Sequence, residues 1–374
     1  MISKKKWARK TRTFRQKMGL YPSRSIAAIE STKSISKREL VEKETHRQSK
    51  AENRKKGVLR CSPFLSPVYD NTDAIKPNDK ILLTMGKNET ARIPYFLEYY
   101  RKLGIDHFFF IDNDSDFPMA DQLEGMGDVS LWHTEDPYPK SHFGVDWMNA
   151  INGKYAVGHW VLVVDLDEFF VFPNIEDRSF SEFIDYLDNV GQLSVFAPLI
   201  DMYPNGPISN AEITIGQSPL DSASWFDGAG YSTWLGPHNE IYIKGGPRFH
   251  HFNPNDISSA PTLNKSPLIK WSEDVLCIES THELYPTKLN RLNPDEHLAV
   301  TGCLLHFKFM SDMKEKAKYA KEHKNHYDKS REYNIYMEHL ENNDNLNLTN
   351  KFTIEYTSSH SLVDVGLMKK GYWA

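Results

Sequence analysis

Three acidic residues lie within four positions of one another at the end of an apolar segment, in the stretch HWVLVVDLDEFFVF (159–172). They are Asp165, Asp167 and Glu168. Crowded carboxylates raise one another's pKa and destabilise a fold unless a cation compensates them. Mg²⁺ or Mn²⁺ does so, because it binds one or two carboxylates together with the phosphate oxygens of a substrate. The alternative is a strand that ends in a solvated acidic turn.

The alternation of side chains along an extended segment decides which of these acids can act together. It places Asp165 and Asp167 on the same side, where both could bind one cation. Glu168 is expected to point away from them and to have a structural or supporting role.

Two further apolar segments also end in polar residues. KILLTMG runs into Asn88 and Glu89, with Arg92 three positions later, and HFFFID ends at Asp112. Ligands of open α/β sheets bind at the carboxyl ends of the strands, so these residues are expected to line one crevice with the acids. Taken singly, each loop has the composition of an ordinary turn.

The elements around these residues alternate between strand and helix patterns. Strands are predicted for KILLTMG, HFFFID, VSLWH, WVLVVDL and LSVFAPLIDMY, with helices in ARIPYFLEYYRKLG, around 119–124, in FGVDWMNAINGKYA and in SFSEFIDYLDNV. GCLLHFKF is a further strand-like run. Continuously apolar strands that alternate with helices indicate an α/β fold, with a mixed, mainly parallel sheet covered by helices.

Composition divides the chain into three parts. Residues 1–60 carry 19 Lys and Arg against 5 Asp and Glu, and we expect a mostly disordered basic tail with a helix near 37–53. The α/β domain is expected over 75–310. A polar helix or helix pair after 310 predicts a helical C-terminal extension over 311–374.

Cysteine count and charge restrict the setting and the partners. Three cysteines, Cys61, Cys277 and Cys303, fit neither a disulfide framework nor a zinc site, so we expect a cytoplasmic protein. The basic tail is expected to associate peripherally with the anionic inner face of a membrane, or to remain a solvated extension. Nucleic acid is not an expected partner, because the rest of the chain is acidic.

The ordered set of motifs resembles a known family. NETARIPYFLEYYRKLGIDHFFFIDNDSD followed by WVLVVDLDEFF is similar to family 2-like glycosyltransferases of the GT-A (Rossmann-like) fold, in the bacterial branch with a D-x-D-E motif. The resemblance continues through LIDMYPNGP, GGPRFHHF, NKSPLIKW, STHEL and LLHFKF, and covers about residues 81–336.

The resemblance implies a role for several residues. Asn88, Glu89 and Asp112 would contact the base and ribose of a nucleotide sugar, and Asp165 and Asp167 would hold Mn²⁺ or Mg²⁺ on its diphosphate. In some such enzymes a C-terminal His is a third metal ligand and a nearby Lys contacts phosphate, which corresponds to His306 and Lys308 here. The remaining candidates are Arg92 as a phosphate contact or a partner of Glu89, and Arg248 and Lys265 as acceptor or phosphate contacts.

The general base is open at this point. One carboxylate or imidazole must take the proton of the acceptor hydroxyl in an inverting transfer. Asp201 is the first candidate because it lies at the end of the fifth predicted strand, which is expected to point into the same crevice, and His282 is the second. Asp227 and Glu240 are further alternatives, and each of the four could instead have a turn or capping role.

The predicted function is therefore metal-dependent transfer of a sugar from a nucleotide-sugar donor, expected to be UDP-linked. A glycan or lipid-linked acceptor in surface polysaccharide or lipopolysaccharide assembly is the setting that the resemblance implies. One alternative is a metal-dependent nucleotidyl- or phosphotransferase, although the chain has no G-x-x-x-x-G-K-[ST] loop. The other is a non-catalytic glycan-binding module on the same fold.

Overall fold

The computed structural model describes residues 37–236, 238–293, 295, 297–323, 331–343 and 345–373. The first 36 residues of the expected basic tail lie outside this range, and the membrane association assigned to the tail stays a prediction. None of the helices in the described part of the chain combines the length and the apolar character that crossing a bilayer requires.

Sixteen strands and nine α-helices make up the described regular structure. The strands are β1 Ser66–Tyr69, β2 Lys80–Gly86, β3 His107–Asp112, β4 Val129–His133, β5 Trp160–Val163, β6 Glu168–Val171, β7 Ser194–Val195, β8 Leu199–Asp201, β9 Trp225–Asp227, β10 Ser232–Leu235, β11 Ile241–Lys244, β12 Leu268–Lys270, β13 Leu276–Cys277, β14 Leu284–Tyr285, β15 Cys303–His306 and β16 Thr353–Glu355. The helices are α1 Lys37–Cys61, α2 Ile93–Leu103, α3 Ala120–Leu123, α4 Val145–Tyr155, α5 Phe180–Asn189, α6 Pro247–His250, α7 Met313–His323, α8 Arg331–Asn342 and α9 Ser359–Asp364.

The central sheet has the strand order β1-β4-β3-β2-β5-β12-β7. β4, β3, β2 and β5 are parallel, β1 and β12 run antiparallel to them, and β7 pairs antiparallel with β12. Successive side chains of β2 and β3 enter different cores: Leu82 and Phe108 pack with α2 and α5, whereas Leu83 and Phe109 pack with α4. The sheet is therefore covered on both faces, which confirms the predicted mixed α/β, Rossmann-like class.

Local sequence explains where the covering helices begin and end. In α2, Pro94 lies in the first turn, and Gly104 ends the helix in a left-handed conformation that glycine adopts without strain. In α5, Ser179 accepts a hydrogen bond from the Glu182 N–H, and Glu182 bonds back to the Ser179 backbone. Both predicted helices are confirmed.

The predicted fifth strand is wrong as a single element. Its first part, β7, belongs to the central sheet, whereas β8 pairs with β15 in a separate three-stranded sheet of order β6-β15-β8. Register in that sheet places Glu168, His306 and Asp201 directly beside one another. Directly opposed residues share one face of a sheet, so this small sheet brings together two predicted site residues that lie far apart in sequence.

The predicted boundary at residue 60 is also wrong, because α1 packs on the domain instead of belonging to a disordered tail. Arg47 pairs with Glu240 and Glu283, and Arg60 pairs with Asp136 at 2.8 Å. Cys61 at the end of α1 is fully buried in the core beside α4. Some of the basic residues that make α1 resemble a disordered tail in composition therefore attach it to the α/β domain.

α7, α8 and α9 lie within the predicted C-terminal extension, but its last residues also contain a strand and complete the main core. β16 pairs with β9, and the Trp373 ring packs edge-on against Phe183 with centroids 5.3 Å apart. Leu362 and Leu367 lie in the same core cluster as the central sheet. Residues 345–373 are therefore part of the α/β domain.

Gly57 permits the close approach of α1 to α4, and we expect Gly57→Ala to destabilise the fold. An added Cβ would lie 2.2 Å from the Oδ2 atom of Asp146, which is fully buried and bonded to His142 and Arg54. Overpacking of this kind costs about 1–3 kcal/mol, more than the ~1 kcal/mol that alanine gains in a helix interior. Urea unfolding measures the difference.

Gly153 in α4 provides the matched control, because an added Cβ there meets nothing within 4 Å. Gly153→Ala should leave the free energy of unfolding unchanged or raise it by up to about 1 kcal/mol. Equal stability of the two variants would contradict the packing of α1 against Asp146.

Candidate active site

A crevice of about 650 Å³ lies at the carboxyl ends of β2, β3 and β5. Its residues come from strand ends and the loops beside them, from the turn that follows β5, and from α6 and α7. The polar members that line it are Lys87, Asn88, Glu89, Asn113, Asp165, Asp167, Glu168, Arg248, Lys265, His282, His306, Lys308, Asp312, Glu315 and Lys316. The crevice therefore lies at the carboxyl ends of the strands, the edge of the sheet where the sequence predicts a ligand site.

The D-x-D segment is a turn and not the end of an extended strand. The Glu168 N–H donates to the Asp165 carbonyl at 3.0 Å, which closes the turn between β5 and β6. Asp165 and Asp167 still line the same crevice, with 53% and 21% of their side chains exposed. The expectation that Glu168 points away is wrong, because side-chain alternation does not apply within a turn.

Lys265 joins the two outer acids of this turn. Its Nζ atom lies 3.0 Å from Asp165 Oδ2 and 2.5 Å from Glu168 Oε1, and Glu168 is almost fully buried. Burial and the charge of Asp165 raise the pKa of Glu168 to about 7. Burial also tends to raise the pKa of Asp165. The attraction of the Lys265 ammonium is stronger, so the pKa of Asp165 lies below its usual value.

His306 is held between Asp201 and Asp167. Its Nδ1 atom lies 2.7 Å from Asp201 Oδ1, and its Nε2 atom lies 3.6 Å from Asp167 Oδ2. A carboxylate that accepts from one imidazole nitrogen fixes the direction of the other, which is the usual arrangement behind a metal-binding histidine. His306 is therefore oriented towards the acid that the sequence assigns to the metal.

Asp201, the first candidate for the general base, has both oxygens engaged. Arg248 donates from Nε to Oδ2 at 2.8 Å and from Nη2 to Oδ1 at 2.9 Å. Burial opposes ionisation, but Arg248 and His306 hold the pKa of Asp201 far below its usual range. Both oxygens already accept hydrogen bonds from these neighbours, so the Asp201 carboxylate is placed to support His306 and not to take the proton of an acceptor hydroxyl.

His282, the second candidate, has a different environment. Its Nδ1 atom lies 2.5 Å from the carbonyl of Asn264, which can only accept, so Nδ1 carries the proton and Nε2 keeps its lone pair. Burial and the nearby Lys265 lower the pKa of His282 to about 4. The imidazole is therefore neutral at physiological pH, and it lines the crevice.

The other candidates for the base are structural groups. Asp227 is fully buried and bonded to Tyr203, His250 and Asn350. Glu240 is buried against Arg47 of α1.

At the end of β2, Asn88 and Glu89 line the crevice but Arg92 does not. Arg92 pairs with Glu89 and with Asp312, each at 2.9 Å, which is the alternative role that the sequence left open. Lys316 of α7 also contacts Glu89. α7 therefore covers the side of the crevice that the Asn-Glu pair occupies.

Asp112 at the end of β3 organises its own loop. Its two oxygens accept the backbone N–H groups of Ser115 at 3.0 Å and Met119 at 2.9 Å, and the side chain is 3% exposed. The neighbouring Asn113 lines the crevice. The contact with a nucleoside assigned to Asp112 stays a prediction.

Several residues of the crevice cannot be identified from local sequence. Glu315 and Lys316 come from a polar helix, and Asp312 directly precedes it; the composition of this helix is that of any solvated surface. Glu332 of α8 contacts Lys308 at 3.0 Å, so the predicted phosphate contact already has an acidic partner. The one available signal is a long charged segment directly after the LLHFKF strand, and it does not indicate which charges face inwards.

The donor set fits a divalent cation in charge and chemistry. The crevice is lined by six Asp and Glu against five Lys and Arg, so a diphosphate entering it would meet an excess of carboxylates. Asp165 and Asp167 are open to the crevice, and oxygen ligands are those that Mg²⁺ and Mn²⁺ prefer. In the described residues Asp165, Asp167 and His306 do not bring three ligand atoms within 4.8 Å of one another, whereas the separate, partly exposed group Asp114, His133 and Glu135 does.

Comparison with known proteins shows a distant relationship to a glycosyltransferase. No family model matches the chain. A glycosyltransferase family 92 protein of Ricinus communis is 24% identical over 27% of this chain, and the match spans 19% of that protein. The similarity supports a glycosyltransferase in general, and it does not extend to the family 2-like bacterial branch.

Proposed function

We propose that the chain is a metal-dependent GT-A-type glycosyltransferase that transfers a sugar, expected to be a hexose, from a UDP-linked donor to a glycan or lipid-linked acceptor. The observation that carries the proposal is the pair of open carboxylates, Asp165 and Asp167, beside an imidazole that Asp201 orients towards them. The distant similarity to a glycosyltransferase supports the same class of reaction. Surface polysaccharide or lipopolysaccharide assembly is the setting proposed from the motifs.

Different residues of the crevice would bind the metal, the nucleoside and the phosphates. Asp165, Asp167 and His306 would hold Mn²⁺ or Mg²⁺, which when bound stabilises the charge of the departing diphosphate. Asn88 and Glu89, which follow β2, would contact the nucleoside. Lys316 pairs with Glu89 and its charge also acts on Asp167, so it would neutralise phosphate charge.

His282 is the proposed general base. It is neutral, its Nδ1 is fixed by the Asn264 carbonyl, and the remaining Nε2 lone pair can take the proton of an acceptor hydroxyl. Asp201 is proposed to position His306 instead, because Arg248 occupies its oxygens.

We expect His282→Asn to lower the rate of sugar transfer by about 10²- to 10⁴-fold, the usual contribution of a general base. Asparagine keeps a donor for the Asn264 carbonyl but removes the basic lone pair. His159 gives a matched control, since its Nδ1 also lies 2.8 Å from a backbone carbonyl, that of Asp79, and it does not line the crevice. A wild-type rate in His282→Asn would exclude His282 as the base.

Thermal unfolding with a panel of nucleotide sugars tests the donor part of the proposal. A ligand at 100 times its Kd stabilises a folded protein by about 2.7 kcal/mol. We expect one class of nucleotide sugar to raise the melting temperature with Mn²⁺ and to have little effect with EDTA. No shift with any nucleotide sugar, with or without Mn²⁺, would contradict the proposal.

A further inference from the structure

A second cavity of about 660 Å³ adjoins the crevice, and we call it the side cavity. The two spaces share seven lining residues, including Asp165, Lys265 and His282. The side cavity continues from these residues to α1 and to the loop between α6 and β12. An acceptor in it would therefore meet a donor in the crevice at the proposed base.

The wall formed by α1 places two cations at the side cavity, Lys50 and Arg54. Lys50 pairs with Glu279 at 2.7 Å and with Glu283 at 2.9 Å. Arg54 is far less compensated. Within the described part of the chain the only hydrogen bond of its side chain runs from Nη1 to Asp146 Oδ1 at 3.3 Å, and its Nε is buried without a partner.

The environment of Arg54 is costly for a guanidinium group. The residue is 8% exposed, and burial lowers its pKa despite the attraction of Asp146. Asp146 is shared, because His142 Nδ1 lies 2.8 Å from its other oxygen. A buried cation with unsatisfied donors is stabilised by any oxyanion that reaches it, and guanidinium matches carboxylate and phosphate in shape.

The rest of the side cavity suits a ligand that is both anionic and partly apolar. Its lining has five Lys and Arg against three Asp and Glu, the reverse of the balance in the crevice. Tyr138, Phe143 and Met148 add apolar surface of the kind on which a sugar ring or a carrier chain packs.

We propose that the side cavity is the acceptor subsite and that it selects an acceptor bearing an oxyanion, recognised by Arg54 on α1. The oxyanion can be the carboxylate of an acidic sugar or the phosphate of a phosphorylated carrier. This assignment of the cavity as an acceptor site rests on the proposed glycosyltransferase function. The preference for an oxyanion rests on Arg54 and the cavity lining.

The test compares three probes that differ in charge: methyl β-glucoside, methyl β-glucuronide and glucose 1-phosphate. Binding to the full chain is measured by isothermal titration in EDTA without nucleotide, so that it does not depend on the donor reaction. We expect at least one acidic probe to bind about tenfold more tightly than the glucoside, the effect of one hydrogen bond to a charged group. Preference for the glucuronide identifies a carboxylate, and preference for the phosphate ester identifies a phosphate.

Variants of α1 locate the effect. Arg54→Gln is expected to bring the affinity ratio of acidic to neutral probe close to one. Lys55→Gln is the matched control and should keep the wild-type ratio, since Lys55 is 56% exposed and pairs with Glu52 within the same helix. If Arg54→Gln does not fold, Lys50→Gln, one turn earlier on the same wall, should lower the ratio.

Equal affinity of all three probes for the wild-type chain would overturn the proposal, whatever the variants do. A preference that survives both Arg54→Gln and Lys50→Gln would overturn it as well. Binding of UDP with Mn²⁺ is measured in parallel. If UDP does not bind, the proposed function is contradicted, whereas the affinities of the three probes still decide whether the side cavity prefers an oxyanion.

Discussion

Asp167→Asn is expected to lower sugar transfer by about a hundred- to a thousandfold or more, the loss seen when one electrostatic group is removed from a transition-state site. The carboxylate faces His306 and is open to the crevice. Burial would raise the pKa of Asp167, but His306, Lys316 and Arg92 hold it well below its usual range, so the group is an anion at every physiological pH. Asparagine keeps the shape and removes the charge that the metal requires.

Folding should survive this substitution, because the backbone bond from the Phe307 N–H to the Asp167 carbonyl remains. Circular dichroism and urea unfolding check that point. Asp185→Asn, an exposed acid on α5, controls for the loss of one negative charge and should keep the wild-type rate. Transfer by Asp167→Asn at the wild-type rate with Mn²⁺ would contradict a metal site at Asp167.

Lys265→Met is expected to lower the free energy of unfolding by about 3–5 kcal/mol, because it leaves Glu168 as a buried acid without its cation. The Lys265 side chain is 4% exposed and that of Glu168 is 1% exposed. Burial opposes the charge of Lys265, but the two carboxylates outweigh it and hold the pKa of Lys265 above its usual value. Urea unfolding of the variant gives the loss directly.

A second substitution separates the buried charge from simple packing. Lys265→Met combined with Glu168→Gln should recover much of the stability, since neither residue of the double variant is charged. Lys270→Met is the surface control: its ion pair with Asp188 spans 3.4 Å at 32% exposure, and such pairs contribute about 0–1 kcal/mol. A double variant no more stable than Lys265→Met alone would contradict the buried ion pair.

Most of the α/β domain follows from local patterns in the sequence. The apolar strands, Gly104 after α2 and the Ser179 cap of α5 are all properties of neighbouring residues. Two expectations failed because they depend on distant partners. The strand predicted from Leu193 divides between two sheets, and α1 is attached by acids such as Glu240, 193 positions beyond its partner Arg47.

The candidate site divides in the same way. Asp165 and Asp167 stand out in sequence because acids at the end of a buried strand require compensation. The residues that pair with them cannot be recognised in the sequence, because Lys265 lies 100 positions from Asp165 and is one of many lysines. The choice between Asp201 and His282 depends on which atoms Arg248 and the Asn264 carbonyl reach, and only the fold decides that.

Product analysis decides directly whether the chain is a metal-dependent glycosyltransferase. The full chain is incubated with each of a set of nucleotide sugars in Mn²⁺ or EDTA, and the nucleotide and sugar products are identified by chromatography and NMR. We expect one donor, UDP-linked, to yield nucleoside diphosphate and free sugar slowly with Mn²⁺, and EDTA or Asp167→Asn to abolish this release. Release of pyrophosphate instead, or no turnover of any donor with Mn²⁺, would contradict a metal-dependent glycosyltransferase.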